Sequence, residues 1–170
     1  MNRYDARTAE VNVYSFKEGA LSSLAHDLKL RVNAFELDVD PESGAVRATL
    51  DAASLAVVCT MNGGREAASL LGPAQFDEIA RNVRTAVLHA DRFPAITLTA
   101  RREGAALVGE LELHGVRRPI RGTLREAEGS IEADFELDQR DFGITPYKAL
   151  LGALKVQPRI RVVARVPRPR

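Results

Sequence analysis

Two serines, a histidine and an aspartate lie close together near the amino terminus, and hydrolases use these residue types. They are Ser22, Ser23, His26 and Asp27. Residues 24–32 alternate between apolar and polar types, which predicts a strand whose His26 and Asp27 point to opposite faces. Ser22 shares a face with His26, but at about 3.3 Å per residue the two lie roughly 13 Å apart. A catalytic triad would need distant partners, so no catalytic residue is assigned and a binding protein is expected rather than an enzyme.

The histidines and the single cysteine do not have the spacing of a metal site. His26, His89, His114 and Cys59 are far apart in the chain. Zinc needs three or four converging ligands, which are usually close in sequence. By strand parity His26 faces inward and His114 faces outward. No metal ion is expected, and because no phosphate-binding loop or dinucleotide fingerprint occurs, no cofactor is required.

Length and charge exclude several classes of protein. The 170 residues predict one domain, which we place over residues 1–170. The net charge of +1 comes from 24 basic and 23 acidic side chains, which argues against nucleic acid as a partner. No apolar run has the length of a membrane span, so stable membrane insertion is not expected. The amino terminus shows no signal peptide, which favours a cytoplasmic location, or a periplasmic one if a signal peptide has been removed.

Alternation between apolar and charged residues is the strongest structural signal in the chain. A period of two predicts strands with one apolar and one solvated face, and the apolar faces must cover each other. Short turns between neighbours predict antiparallel pairing, so the fold class is mainly β, an up-and-down barrel of about eight strands. Acidic residues in 130–138 and arginines in 158–166 predict that these two strands are neighbours. The predicted strands are 10–16, 24–32, 35–40, 45–51, 54–60, 95–102, 106–114, 119–126, 130–138 and 158–166.

Two helices are expected beside the strands. A long helix over residues 73–88 begins at Pro73 and carries an apolar stripe that should close one side or mouth of the barrel. A short helix is predicted over 146–154, where apolar residues share one helical face. The tail at 167–170 is expected to be frayed. The residues of the short helix and its approach that should form a movable cover over the cavity are Phe142, Tyr147, Leu151 and Leu154.

The interior of the barrel is the candidate binding site. An eight-stranded barrel either is filled by side chains or holds one small ligand. Inward glycine and alanine residues such as Gly109 and Ala133 indicate room for a ligand. His26 has two interpretations: a core or rim histidine bonded to backbone or water, or an anchor for a ligand headgroup. The predicted lining is Leu28, Leu30, Phe35, Ile96, Leu98, Leu111, Leu113, Phe135 and Leu137, with His26 at the headgroup.

Four short motifs in this chain resemble segments of the YceI-like family. GELELHGVRRPI at 109–120 is similar to the family's "G-x-L-x-[IL]-x-G-V-x-[RK]-P-[VI]" segment. QRDFGI at 139–144 resembles "R-x-D-[FY]-G", with Gln139 in place of the arginine. LAHDL at 24–28 followed by Phe35 resembles the early histidine strand and its "G-x-F" partner, with Asn33 in place of the glycine. RFPAI at 92–96 is similar to "[YF]-P-x-I".

The resemblance implies a lipocalin-like barrel with a helix over it, often as a homodimer. It also implies a lipid-like partner, an isoprenoid quinone, another polyisoprenoid or a fatty acyl chain, held in the lumen. Two other hypotheses stay open at this point. One is a solid-core interaction or stress-related structural module without a ligand, and the other is a hydrolase or isomerase with His26 as its base.

Overall fold

The alternating segments of the sequence form one antiparallel sheet. The computed structural model describes residues 1–18, 26–68 and 71–168, except for the side chain of Leu150. Ser22 and Ser23, and the start of the predicted 24–32 strand, lie outside the described residues. The strands are β1 Asn2–Asp5, β2 Glu10–Glu18, β3 Asp27–Val32, β4 Phe35–Val39, β5 Ala45–Asp51, β6 Leu55–Asn62, β7 Arg65–Ala67, β8 Ala95–Glu103, β9 Ala106–Leu113, β10 Val116–Ala127, β11 Ser130–Asp138, β12 Lys148–Ala149 and β13 Leu154–Pro167.

Closure of the sheet confirms the predicted up-and-down barrel. Three long segments of the chain are each interrupted by a short bend and therefore count as two strands: β1 with β2, β3 with β4, and β5 with β6. The segments lie side by side, because β4 pairs with β1 and β5 on one side of the bends, and β3 pairs with β2 and β6 on the other. β5 then pairs with β8, and the ring continues through β9, β10, β11 and β13. β13 returns to β2, which closes the ring. When each bent pair of strands is counted as one segment, eight segments of the described chain form the barrel wall, and the bends raise the number of separate strands.

Hydrogen bonds stabilise the bend between β3 and β4 and the bend between β5 and β6, where the ladder of backbone hydrogen bonds is interrupted. Ser54 Oγ accepts from the backbone N–H of Asn33 at 3.1 Å and from that of Ala34 at 3.0 Å. Asp51 caps the intervening 3-10 turn by accepting from the Ala53 N–H at 2.8 Å. These contacts pair the backbone N–H groups of Asn33, Ala34 and Ala53 where the ladder is interrupted, which favours keeping both halves of these two bent segments in the barrel wall.

The pairing of β11 with β13 confirms the neighbour relation predicted from charge. Arg161 donates to both carboxylate oxygens of Asp134, at 2.9 and 2.6 Å. The guanidinium of Arg161 holds the pKa of Asp134 below its usual value. Opposite charges face each other across the outer surface of this ladder, as expected for cross-strand pairs. The other ion pairs between the two strands are Arg165 with Glu132 and Arg159 with Glu136.

The long helix lies between β7 and β8. Helix α1 spans Pro73–Asn82 and continues through a π-helical turn, Val83–Val87. Gly72 precedes it, and its N–H donates to Gln75 Oε1 at 2.5 Å. Of the predicted apolar stripe Phe76, Ile79, Ala80, Val83 and Val87, three residues, Ile79, Val83 and Val87, line the barrel interior. Ala80 is buried, whereas Phe76 is only half-buried and does not line the cavity. No helix in the described ranges is long and apolar enough to span a bilayer.

The predicted short helix over 146–154 is wrong. β12 pairs with the start of β13, and a 3-10 turn, Leu150–Gly152, joins them into a tight hairpin. Leu151 and Gly152 have φ angles of 55° and 87°, in the left-handed region, and a right-handed helix cannot continue through them. The spacing of the apolar residues in 146–154 matches a helical face by coincidence, and Gly152 permits the turn.

Two residues of the tail that was predicted to be frayed, Pro167 and Arg168, have defined positions. Pro167 belongs to β13, and the Arg168 N–H donates to the Gly129 carbonyl at 2.9 Å. Residues 169 and 170 lie outside the described part of the chain. Arg168 is thereby held at the end of the barrel wall.

Candidate ligand-binding cavity

A cavity of about 1000 Å³ extends along the interior of the barrel. All eight wall segments and the helix contribute to its lining, and most of the lining side chains are aliphatic. Its volume lies at the upper limit of the usual range for ligand pockets, about 300–1,000 Å³. Polar and charged side chains are found mainly where the cavity reaches each end of the barrel. The shape and chemistry suit one long apolar molecule with polar ends.

The structure places all but two of the predicted site residues on the cavity wall. Period-two alternation explains this placement, since each strand turns every second side chain inward. Contact of these residues with a ligand stays a prediction. Those that line the cavity are His26, Leu28, Leu30, Phe35, Ile96, Leu98, Leu111, Leu113, Phe135, Leu137, Tyr147 and Leu154.

Phe142 and Leu151 do not form the predicted movable cover. Phe142 is 2% exposed and is packed in a core cluster with Leu113 and Ile144 behind the cavity wall. It lies in a 3-10 turn, Gln139–Phe142, which fixes its backbone, so it is a structural anchor. Leu151 is fully exposed at the tip of the β12–β13 hairpin. The cover was inferred from a helical face, and that helix does not exist.

Small inward residues make room for a ligand at some positions only. Ala48, Ala133 and Ala164 line the cavity. Gly109 does not, because a Cβ there would lie 2.2 Å from the Thr99 carbonyl oxygen. The expectation that Gly109 leaves room in the lumen is therefore wrong. This glycine permits close approach of β8 and β9 instead.

The end of the cavity that contains His26 is formed by elements distant in sequence, and we call it the histidine mouth. His26 precedes β3 and is exposed, so the interpretation of a core histidine is wrong. Its imidazole makes no hydrogen bond to the described residues. The opposite side is supplied by α1 and by the chain between β11 and β13. The other polar groups of this mouth are Gln75, Glu78, Asn82, Gln139 and Tyr147.

The other two histidines form a pair that the sequence did not predict. His89 Nδ1 and His114 Nε2 lie 2.9 Å apart, and His114 Nδ1 lies 3.2 Å from the Phe142 carbonyl oxygen. Because a carbonyl only accepts, a neutral His114 carries its proton on Nδ1 and accepts from His89 on Nε2. The two histidines have φ angles of 45° and 54°, in loops for which strand parity has no meaning. The pair ties the end of the helix to the β9–β10 turn.

The opposite end of the cavity is charged, and we call it the arginine mouth. Its charged lining residues are Asp40, Arg102, Glu126 and Arg168. Arg102 and Glu126 continue the inward parities of β8 and β10, so the sequence contained the signal that places them here. Arg168 forms an ion pair with Glu126. The Ser43 hydroxyl and the backbone N–H of Glu42 donate to Asp40 and lower the pKa of its carboxyl.

No group of three or more histidine, cysteine, aspartate or glutamate side chains in the described residues is arranged to hold a metal ion. The chemistry that the site offers is burial of an apolar chain and hydrogen bonding or ion pairing at the ends.

Comparison of the sequence with family models identifies a match over almost the whole chain. The model of the YceI-like domain matches residues 4–167. The chain belongs to the YceI-like family. No curated protein sequence matches it.

Solved structures share the fold of this YceI-like chain at low identity. Burkholderia cenocepacia BcnA has a TM-score of 0.61 and 13% identity, with 97% of this chain and 99% of that chain covered. A polyisoprenoid binding domain from Saccharophagus degradans, implicated in plant cell wall breakdown, has a TM-score of 0.57 and 13% identity, with 94% of each chain covered. The match to the CJ YceI protein has a TM-score of 0.50 and 12% identity, with 84% and 86% covered. At such identities the likeness shows the fold alone.

Proposed function

We propose that this protein binds and carries one amphiphilic, lipid-like molecule and has no catalytic activity of its own. The observation that carries the proposal is the aliphatic cavity of about 1000 Å³ with polar groups at its ends. Burial of an apolar chain in such a cavity is favourable by roughly 25 cal/mol per Å² removed from water. The polyisoprenoid binding domain of similar fold supports an isoprenoid chain as the ligand class, and a fatty acyl chain has the same apolar character.

For a ligand with a neutral polar headgroup, such as a quinone, we propose His26 as its partner. The imidazole lies at the histidine mouth, and a neutral imidazole has one donor and one acceptor nitrogen. The apolar chain then extends between Leu28 and Leu98 into the barrel. A solid-core interaction module fits the open cavity poorly, and His26 lacks a hydrogen-bonded partner to activate it as a base among the described residues. Homodimer formation remains a prediction, which light scattering tests.

The test is titration calorimetry with a long-chain quinone and with a fatty acid, on wild type and two tryptophan variants. Leu98→Trp places a large ring in the middle of the cavity, whereas the matched control Thr99→Trp places it on the exposed face of the same strand. We expect wild type and Thr99→Trp to bind with a negative heat-capacity change, the sign of apolar burial. We expect Leu98→Trp to lose at least about tenfold in affinity while remaining folded by circular dichroism. Equal affinity in all three proteins, or no binding to wild type, contradicts the proposal.

A further inference from the structure

The arginine mouth contains a cation that strand parity turns into the cavity. Ile96, Leu98 and Ala100 are the inward residues of β8, and Arg102 is the next in this series. Ile96, Leu98 and Arg102 line the cavity, while Arg101 points to solvent on the outer face. The aliphatic part of the Arg102 side chain therefore continues the apolar wall, and its guanidinium lies where the wall ends.

Backbone contacts position the base of this side chain. The Arg102 N–H donates to the Gly44 carbonyl at 2.8 Å, and its Nε donates to the Gly104 carbonyl at 3.0 Å. Gly44 has a φ of 70°, and a Cβ there would lie 3.2 Å from the Arg102 Cβ. The two turns thus hold the guanidinium at the mouth. Its two terminal nitrogens form no hydrogen bond or ion pair with the described residues, so they are available to a ligand.

The other charged groups of this mouth are already engaged. Arg168 and Glu126 neutralise each other as an ion pair. The carboxylate of Asp40 accepts from the Ser43 hydroxyl at 2.6 Å and from the Glu42 N–H at 3.0 Å. Glu103, next to Arg102 in sequence, pairs with Arg121 at 3.9 Å. Arg102 is the cation of this mouth without a carboxylate partner among the described residues.

The histidine mouth has the opposite character. Glu78 lines it, and no lysine or arginine is among its described lining residues. A carboxylate or a phosphate there would face Glu78 without a permanent cation to offset its charge. At the arginine mouth the same group gains charge-assisted hydrogen bonds from a guanidinium, which binds carboxylates and phosphates in a fork geometry.

We infer that an acidic amphiphile binds in this cavity with its acid at Arg102 and its chain directed toward His26. This orientation is opposite to the one proposed for a neutral headgroup, and the inference rests on the proposed function. Carboxylates and phosphates share the required chemistry. The length of the strands sets the reach of the chain: nine residues at about 3.3 Å each, inclined in the barrel, give roughly 20–25 Å between the mouths.

Affinity measurements with matched ligands test the assignment. Dodecanoic acid, dodecyl phosphate and dodecanol share one chain and differ in the headgroup. Arg102→Gln should weaken the two acids roughly ten- to hundredfold and leave dodecanol unchanged, because hydrogen bonds to charged groups are worth that factor. The control Arg101→Gln removes the same charge from the outer face and should change none of the three. Comparison of the acid and the phosphate shows which one the mouth prefers.

Several outcomes overturn the inference. Equal losses for the acids and the alcohol in Arg102→Gln would indicate a structural role, and equal losses for the acids in Arg101→Gln would indicate a general effect of net charge. No loss for the acids would show that Arg102 does not bind them. Failure of every ligand to bind wild type would instead contradict the proposed function itself.

Orientation is measured directly with a spin-labelled acid. The label of 16-doxylstearic acid lies near the end of its chain, so bound ligand should broaden the amide resonances of Asp27 and Leu28 beside the histidine mouth. The amides of Arg102 and Glu103 should remain sharp. The reverse pattern would place the acid at His26 and overturn the inference even if Arg102→Gln lowers affinity.

Discussion

The two mouths of the barrel are built in different ways. The arginine mouth is formed where strands adjacent in sequence turn back through Gly44, Gly104 and Gly129, whose φ angles of 70°, 61° and 69° suit tight turns. The histidine mouth combines the start of β3, helix α1 and the β12–β13 hairpin, which are far apart in the chain. Because these turns are local, charged residues beside them continue the inward-facing series of their strands. The histidine mouth depends instead on packing between elements that are distant in sequence. The comparison predicts that the two mouths respond differently to substitution.

The largest effect is expected from Phe142→Ala, which removes the most buried side chain near the histidine mouth. Loss of a phenylalanine from a packed core costs about 3–5 kcal/mol, because a cavity remains. Urea denaturation measures the change in the free energy of unfolding. Leu151→Ala on the exposed hairpin serves as the control and should change it by less than about 0.5 kcal/mol. A cost below about 1 kcal/mol for Phe142→Ala would mean that packing does not hold this mouth together.

Alanine substitutions at two glycines of the arginine mouth distinguish the cost of backbone strain from the effect of contact with Arg102. Gly44→Ala and Gly129→Ala both place a side chain in the left-handed region, which costs about 1–2 kcal/mol. Only at Gly44 would the new Cβ approach Arg102, since nothing lies within 4 Å of that position at Gly129. We expect Gly44→Ala to be the more destabilising and also to weaken dodecanoic acid binding. Thermal unfolding and calorimetry on both variants check this; equal effects would show that Gly44 does not position Arg102.

Tryptophans at the two ends of the cavity should affect long and short acids differently. Leu113 lies at the end of β9 near the histidine mouth, and Leu124 lies on β10 near the arginine mouth. With the acid held at Arg102, Leu113→Trp should weaken stearic acid about tenfold and dodecanoic acid little, because only the longer chain reaches it. Leu124→Trp should weaken both. The ratio of the two dissociation constants, measured for each variant, is the readout, and an unchanged ratio in Leu113→Trp contradicts the orientation.

The smallest effect concerns the outer surface between the mouths. The Asp134 side chain is 14% exposed and its partner Arg161 is 43% exposed, so Asp134→Asn should cost less than about 1 kcal/mol at pH 7. Arg161 lowers the pKa of folded Asp134, so the stabilisation is present above about pH 4, the unfolded value, and is lost as pH falls through the lower folded value.

Denaturation of wild type and Asp134→Asn across pH 2–7 measures that loss. The difference in the free energy of unfolding should shrink to near zero at the acid end. The more exposed pair of Glu136 with Arg159, at 3.7 Å, provides the comparison, and Glu136→Gln should show a smaller difference at every pH. A difference for Asp134→Asn that persists at the lowest pH would assign its effect to something other than charge.

The sequence by itself determined most of the strands and their inward faces, whereas the short strands β1, β7 and β12 were not predicted. Alternation is a local property, because each strand residue turns its side chain to one face regardless of the rest of the chain. That is why the lining from Leu28 to Leu137 could be predicted, and why the pairing of β11 with β13 followed from their charges. The parity of Arg102 was also readable in the sequence, but its role depends on the absence of a carboxylate partner, which is a property of the folded chain.

Only the tertiary structure decided what happens outside regular strands. The apolar spacing in 146–154 fits a helix as well as a hairpin, and the left-handed backbone at Leu151 selects the hairpin. The pairing of His89 with His114 joins two loops whose positions follow from barrel closure, not from any periodicity. Whether inward glycines leave a cavity was likewise undecided, because the space at Gly109 is occupied by the neighbouring backbone. Periodicity specifies which face a residue takes, whereas distances between segments far apart in sequence are set by how the closed barrel packs.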